Sequence, residues 1–130
     1  MIFSLAIYAA PYSSQAPDTA YKFATALLAN NHKIYRIFFY HDAIHHASAL
    51  TTPQQDEPNF TQQWQSLAKT HKIDLVVCIA AALKRGLLNS QEANRYNKPA
   101  ANLAEGFEIS GLGQLLDAAV NSDRFITFGS

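Results

Sequence analysis

Three short apolar runs constrain this chain more than any other feature of it. Residues 2–8, 34–40 and 75–79 are each largely apolar and bounded by polar or proline-bearing segments, the pattern of strands covered on both faces. Between the first two, Ala20, Phe23, Ala24, Leu27 and Leu28 recur at helical spacing after Pro17 and Asp18, until Asn30 and Asn31 stop the pattern. Strand, amphipathic helix and strand in that order form a β-α-β unit, whose crossover is right-handed and whose strands pair in parallel.

From residue 41 to 59 no period survives, and Thr51, Thr52, Pro53 and Pro58 punctuate a long connection. Connections of that length are functional or mobile. Phe60, Trp64, Leu67, Ala68 and His71 restore helical spacing behind Asn59, a plausible cap. After the third strand, Ala80, Ala81, Ala82 and Leu83 lead to Lys84, Arg85 and Gly86, a short helix with a charged end and a glycine stop. Asn89 with Glu92 has the spacing of a capping box. Residues 107–109 predict a brief fourth strand, and Ser110 and Gly111 open a last helix with Leu112, Leu115, Leu116, Ala119 and Val120 on its buried face. Residues 125–128 close the chain as a strand. The expectation is one domain over residues 1–130, a three-layer α/β/α fold with a mostly parallel sheet of about five strands.

Composition narrows the function. With 48% hydrophobic and 15% charged residues, the chain has material for a core and is not a disordered segment. Ten basic residues balance ten acidic ones, and no aromatic-basic platform is evident, so direct nucleic-acid binding is not expected. A near-neutral surface also favours association. A single cysteine makes no internal disulfide, which leaves the cytoplasm as the default compartment. The apolar opening lacks Lys or Arg and runs at once into Tyr12, Ser13, Ser14 and Gln15, so it reads as a buried strand and not a signal peptide. Residues 73–83 contain Asp74 and fall well short of the roughly 20 apolar residues of a membrane helix.

Sites in open parallel sheets form at the carboxyl ends of the strands, here the loops after Tyr8, Tyr40, Ile79 and Ile109. Cys78 stands at one of these ends, where the third strand gives way to the Ala-rich helix. Its sulfur there can face the positive end of a helix dipole and react as a thiolate; equally, it can be a small hydrophobe in a buried strand. Lys84 and Arg85, ~10 Å along the helix, are too far for a direct ion pair with the sulfur. They either complement the helix C-terminus or form a basic rim for an acidic partner or anionic sulfur donor. His41, His45 and His46 lie beside Asp42 at the same sheet edge. Irregular spacing and the lack of a second cysteine argue against a zinc site, and one imidazole assisting the thiol is the simpler functional role. Gly111 and Gly113 imitate the start of a dinucleotide fingerprint whose third glycine position is Leu116; close helix packing and a tight turn explain them better. Ser13 and Ser14 can cap a helix or meet an anion. No organic cofactor or metal is expected.

The string Cys78-Ile79-Ala80-Ala81-Ala82-Leu83-Lys84-Arg85-Gly86 resembles the DsrE/TusD family of sulfur-relay proteins. Phe38-Phe39-Tyr40, Leu50-Thr51 with Pro53, Trp64, Asn102-Leu103, and Gly106-Phe107 leading to Ser110-Gly111-Leu112-Gly113 agree with it in order and spacing, so the resemblance spans essentially the whole chain. It implies a DsrEFH-like fold and a sulfurtransferase in which Cys78 is the catalytic residue, holding sulfane sulfur as a persulfide. It further implies TusB-like and TusC-like companions in a heterohexamer, a TusA-like donor and a TusE-like acceptor, with sulfur bound for 2-thiolation of the tRNA wobble uridine. Two alternatives for this chain stand beside it: a DsrE-type sulfur-trafficking subunit in sulfur oxidation, and a noncatalytic assembly subunit of the same fold, like the cysteine-lacking companions in such complexes. The family has no known requirement for histidines at the start of the 41–59 loop. That loop and the one after Tyr8 are expected to wall the cysteine.

Overall fold

Each apolar run becomes a strand, and their spacing dictates the topology. In the computed structural model, which describes residues 1–129, five strands form one parallel sheet: β1 (Ile2–Ile7), β2 (Lys33–Phe39), β3 (Asp74–Cys78), β4 (Phe107–Ser110) and β5 (Arg124–Phe128). Ser130, the last residue of the range read as one domain, lies outside the described residues. The spatial order is β4-β3-β2-β1-β5, so the chain steps outward from β1 to β4 and then returns to the far side of β1. The helices are α1 (Ala16–Ala29), α2 (Phe60–His71), α3 (Ile79–Lys84), α4 (Ser90–Arg95) and α5 (Gly113–Val120).

Right-handed crossovers in opposite directions put α1 and α2 on one face of the sheet and α5 on the other. Alternating side chains agree. Phe3 meets Phe23 of α1, and Phe39 meets Trp64 of α2. On the other face, Ser4 bonds to Ser122 and Arg36 to Asp117 of α5. The α1/α2 side holds much of the apolar core, with Leu5, Ile7, Ile37, Phe39, Val77 and Trp64 fully buried. Local signals fix the helix ends: Pro17 occupies the first turn of α1, and the Asn59 side chain caps α2 by accepting from the Gln62 amide. Asn89 caps α4 through the Glu92 amide, but Glu92 turns to Arg95 and does not complete the reciprocal half of the capping box. Ser13 and Ser14 are not the cap of α1, which is Gln15; Ser13 bonds back to the Ala10 carbonyl.

The buried face expected for α5 is corrected by the structure. Leu112, Leu116 and Val120 are exposed, Val120 by 82%, and Ala119 is exposed as well; Leu115 alone of the expected set packs on the core. A helical period shows that a face exists, whereas the orientation of α5 is set by Arg36 of β2. The nearly buried guanidinium donates to the Asp117 carboxylate at 2.8 Å and the Gln114 carbonyl at 3.0 Å, and bonds Asp74 at 3.2 Å. The Tyr35 hydroxyl donates to the same Asp117 carboxylate at 2.7 Å. Those two donors, Tyr35 foremost, hold the Asp117 carboxyl below its ordinary range. This polar latch turns Asp117 and fully buried Ala118 to the sheet and the leucine row to solvent. Gly111 and Gly113 are not there for close packing, because a Cβ at either would meet nothing within 4 Å.

A second correction concerns residues 41–59. The first part is a 3-10 helix, His41–Ala47, which packs against α3 and β3. Its Ala43, Ile44, His46 and Ala47 are buried. His46 sits among Phe39, Phe60 and Trp64; its Nε2 donates to the Ala9 carbonyl at 3.2 Å, and its own carbonyl accepts from the Thr61 hydroxyl at 2.7 Å. It therefore pins the 3-10 helix to α2 and to the loop after β1. Burial pushes its pKa down from 6.5 to about 4, because a protonated ring would present a second N–H, at buried and unpartnered Nδ1, to an aromatic cage.

Two outcomes test this packing. In urea unfolding, Trp64→Ala should cost about 3–5 kcal/mol as a core truncation, while Val120→Ser should stay within about 0.5 kcal/mol; comparable losses would contradict the orientation of α5. For His46 the native state binds its proton at lower pH than the unfolded chain does. Its stabilising contribution is thus complete above pH 6.5 and is lost as pH falls towards 4, with a slope of up to about 1.4 kcal/mol per pH unit. His46→Gln should flatten that part of the pH–stability profile, and an unchanged slope in the variant would refute the assignment.

Candidate functional site at the carboxyl edge of the sheet

In a parallel sheet, residues paired in register project to the same face. The ladder pairs Ile7 with Phe39, Phe39 with Val77, and Cys78 with Ser110, and it continues one step past the strands: the Tyr40 amide donates to Ile7 and the Tyr8 amide to Phe128. Carried one residue past Ile7–Phe39 and Phe39–Val77, this register lines Tyr8 and Tyr40 up with the Cys78–Ser110 pair in a row across four adjacent strands, on the α5 face, at the carboxyl edge. The row is a consequence of register. Sequence reasoning singled out Cys78 and marked Tyr8 and Tyr40 only as strand ends; their common parity became visible once the pairing was known.

Cys78 ends β3 in extended geometry and is the N-cap residue of α3. It is a free thiol with 2% exposure, and its side chain makes no capping hydrogen bond. Both features anticipated from sequence, burial in a strand and placement at a helix start, hold at once. The thiol is shielded from bulk water at the edge where a parallel sheet presents its loops.

The three histidines part company. His46 is in the core, while His41 and His45 are exposed. The His41 ring stacks on Tyr40 with centroids 4.2 Å apart and planes 4° from parallel, and it lies 5.2 Å from the Tyr8 ring. Among the described residues no three His, Cys, Asp or Glu side chains converge as metal ligands, and neither His41 nor His46 hydrogen-bonds the Cys78 thiol. Arg85 spends its charge locally: Nε donates to Asp42 at 2.8 Å and an Nη to the Ala81 carbonyl at 3.2 Å. It ties the end of α3 to the 3-10 helix, and this ion pair holds the Asp42 carboxyl below its ordinary range. Lys84 is exposed.

Asn102, noted in sequence only as part of a motif, secures the far side of α3. Its side chain donates to the Gly86 carbonyl at 2.9 Å and accepts from the Leu88 amide at 2.8 Å, while its own carbonyl accepts from Ala49. Gly86 has φ +79, a conformation that glycine adopts without strain. The turn after α3, the segment following the 3-10 helix and the approach to β4 are thereby joined behind Cys78. The loop after β1 meets the 41–59 segment through Tyr12, whose hydroxyl donates to the Pro58 carbonyl at 2.7 Å. Two concavities, of about 550 and 420 Å³, are lined by Lys69, Ile73 and Gly106 and by Ile2, Lys33 and Lys72; both lie at the opposite end of the strands and neither includes Cys78.

Comparison with known proteins matches this architecture to a family. Residues 1–128 match the DsrE/DsrF-like family. The chain is 47% identical to a DsrE protein of Allochromatium vinosum, over 99% of each chain. It is also 47% identical to a sulfurtransferase TusD homolog of Pseudomonas aeruginosa, over 99% of this chain and 98% of that one, and 41% identical to the sulfurtransferase TusD of Photorhabdus laumondii, over 97% and 96%. The crystal structure of the ychN protein of E. coli has the same fold, with a TM-score of 0.77 at 20% identity over 98% of this chain and 99% of that one. No helix among the described residues is long and apolar enough to cross a membrane. The sheet order, the cysteine at the β3–α3 junction and these full-length matches agree: the chain belongs to the DsrE/DsrF-like family.

Proposed function

We propose that this chain is a sulfurtransferase subunit that carries sulfane sulfur on Cys78. The observation that carries the reading is the position of its one cysteine, shielded at the start of α3 on the carboxyl edge of the sheet, in a chain whose close relatives include proteins named sulfurtransferases. In the proposed step the Cys78 thiolate attacks the outer sulfur of a donor persulfide. A bond forms between Cys78 Sγ and that sulfur as the donor's S–S bond breaks, and the donor leaves as a thiolate that takes up a proton. One S–S bond replaces another, so no external oxidant, metal or organic cofactor enters. An acceptor thiolate repeats the exchange on the Cys78 persulfide. Burial suits this intermediate, which must survive solvent reductants between partners.

The family resemblance extends the reading to TusB-like and TusC-like companions in a heterohexamer, a TusA-like donor and a TusE-like acceptor in the cytoplasm, with sulfur destined for 2-thiolation of the tRNA wobble uridine. A second reading, sulfur trafficking in sulfur oxidation, is favoured by the 47% identity to the DsrE protein, equal to that of the nearest TusD homolog named above.

Intact-mass spectrometry after incubation with a persulfidated donor tests the carrier role. The chain, alone or co-expressed with its companions, should gain about one sulfur atom (~32 Da), reversible with dithiothreitol, and Cys78→Ala should gain none. A folded Cys78→Ala protein that takes up and passes on sulfur like the parent would refute it.

A further inference from the structure

Four aromatic rings, those of Tyr8, Phe38, Tyr40 and His41, cluster at the sheet edge that carries Cys78, and the carrier role alone does not account for them. Tyr40, one residue past β2, occupies the register position next to Cys78, and Tyr8, one residue past β1, the next one. Their rings lie 5.4 Å apart, and Phe38 meets the Tyr40 ring edge-on at 6.2 Å. His41 completes the cluster by lying flat on Tyr40. It does so from a left-handed backbone, φ 49, a region uncommon for residues other than glycine, in which His, like Asn and Asp, is over-represented. The chain thus holds an imidazole against Tyr40 at a position where glycine would be the easier residue. Tyr8 and Tyr40 are only half-buried, and neither hydroxyl has a hydrogen-bond partner within the described chain.

We infer that Tyr40, braced by His41 and Tyr8, is the positioning surface for the sulfur that Cys78 receives. Divalent sulfur is soft and polarizable and makes favourable contacts with aromatic rings at about 5 Å. The outer sulfur of an incoming persulfide needs such a contact at the moment it is shared between the donor sulfur and Cys78 Sγ. Of the two neighbours of Cys78 in the row, Tyr40 alone presents a ring, and its orientation is fixed by stacking instead of by a hydrogen bond. His41 acts through Tyr40 and is a positioning residue. The inference rests on Cys78 as the sulfur carrier and adds what steers sulfur onto it.

Glutathione persulfide serves as the probe, with the rate of mass gain on Cys78 as one readout and iodoacetamide alkylation of the same thiol, which brings no sulfur, as the other. Tyr40→Phe should match the parent within about twofold; Tyr40→Ala and His41→Gly should slow sulfur uptake about three- to tenfold, the worth of a sulfur–aromatic contact, with alkylation changed less than about twofold. Glycine suits the left-handed backbone at 41, so His41→Gly keeps or raises the melting temperature and remains informative if Tyr40→Ala is unstable. Equal sulfur uptake in parent, His41→Gly and Tyr40→Ala overturns the inference and leaves the carrier role intact, as does equal slowing of uptake and alkylation. A parent that takes up no sulfur, alone or in its complex, overturns the carrier role and this inference with it.

Discussion

The register of the parallel ladder is the constraint on which the carboxyl edge depends. A slip of one residue between any two strands would turn every side chain of one strand to the opposite face, and Tyr8, Tyr40, Cys78 and Ser110 would no longer share a row. Register is held by burial on both faces: Leu5, Ile7, Ile37, Phe39 and Val77 are fully buried on the α1/α2 side, and Phe38 and Val76 on the side of α5. The cost of moving any of these into water exceeds what a slipped ladder could recover. The cysteine therefore inherits its position from the hydrophobic pattern of residues that take no part in chemistry.

Polar pins act where the apolar pattern leaves freedom. Arg36 selects the face α5 turns to the sheet, His46 anchors the 3-10 helix to the Ala9 carbonyl, and Arg85 with Asn102 fixes the two ends of the segment behind α3. Each pin joins parts of the chain distant in sequence. Together they give α3 a set position at the end of β3, so that a short helix, which would be marginal on its own, starts at Cys78. The thiol is shielded, and the elements around it are tied to one another.

These long-range pins also mark the limit of what the sequence discloses. The strands and α1 were legible because period and punctuation are local, and the β3–α3 junction because an apolar run passes directly into alanines. The orientation of α5 was not, since its pattern of Leu112, Leu116 and Val120 is that of a buried face and the residue that decides otherwise is Arg36, far away in sequence. Nor could His46 be told from His41 and His45 before the 3-10 helix placed one inside and two outside. Cys78 stood out as the only cysteine, whereas Tyr40 gained meaning only through the β2–β3 register that, carried one residue on, sets it next to Cys78.

The most direct measurement is a crystal structure of the chain, in its complex, after loading with sulfane sulfur. The account predicts a second sulfur bonded to Cys78 Sγ at about 2.05 Å, on the α5 face and against the Tyr40 ring. An unmodified Cys78 in a protein that demonstrably carries the sulfur elsewhere would contradict it.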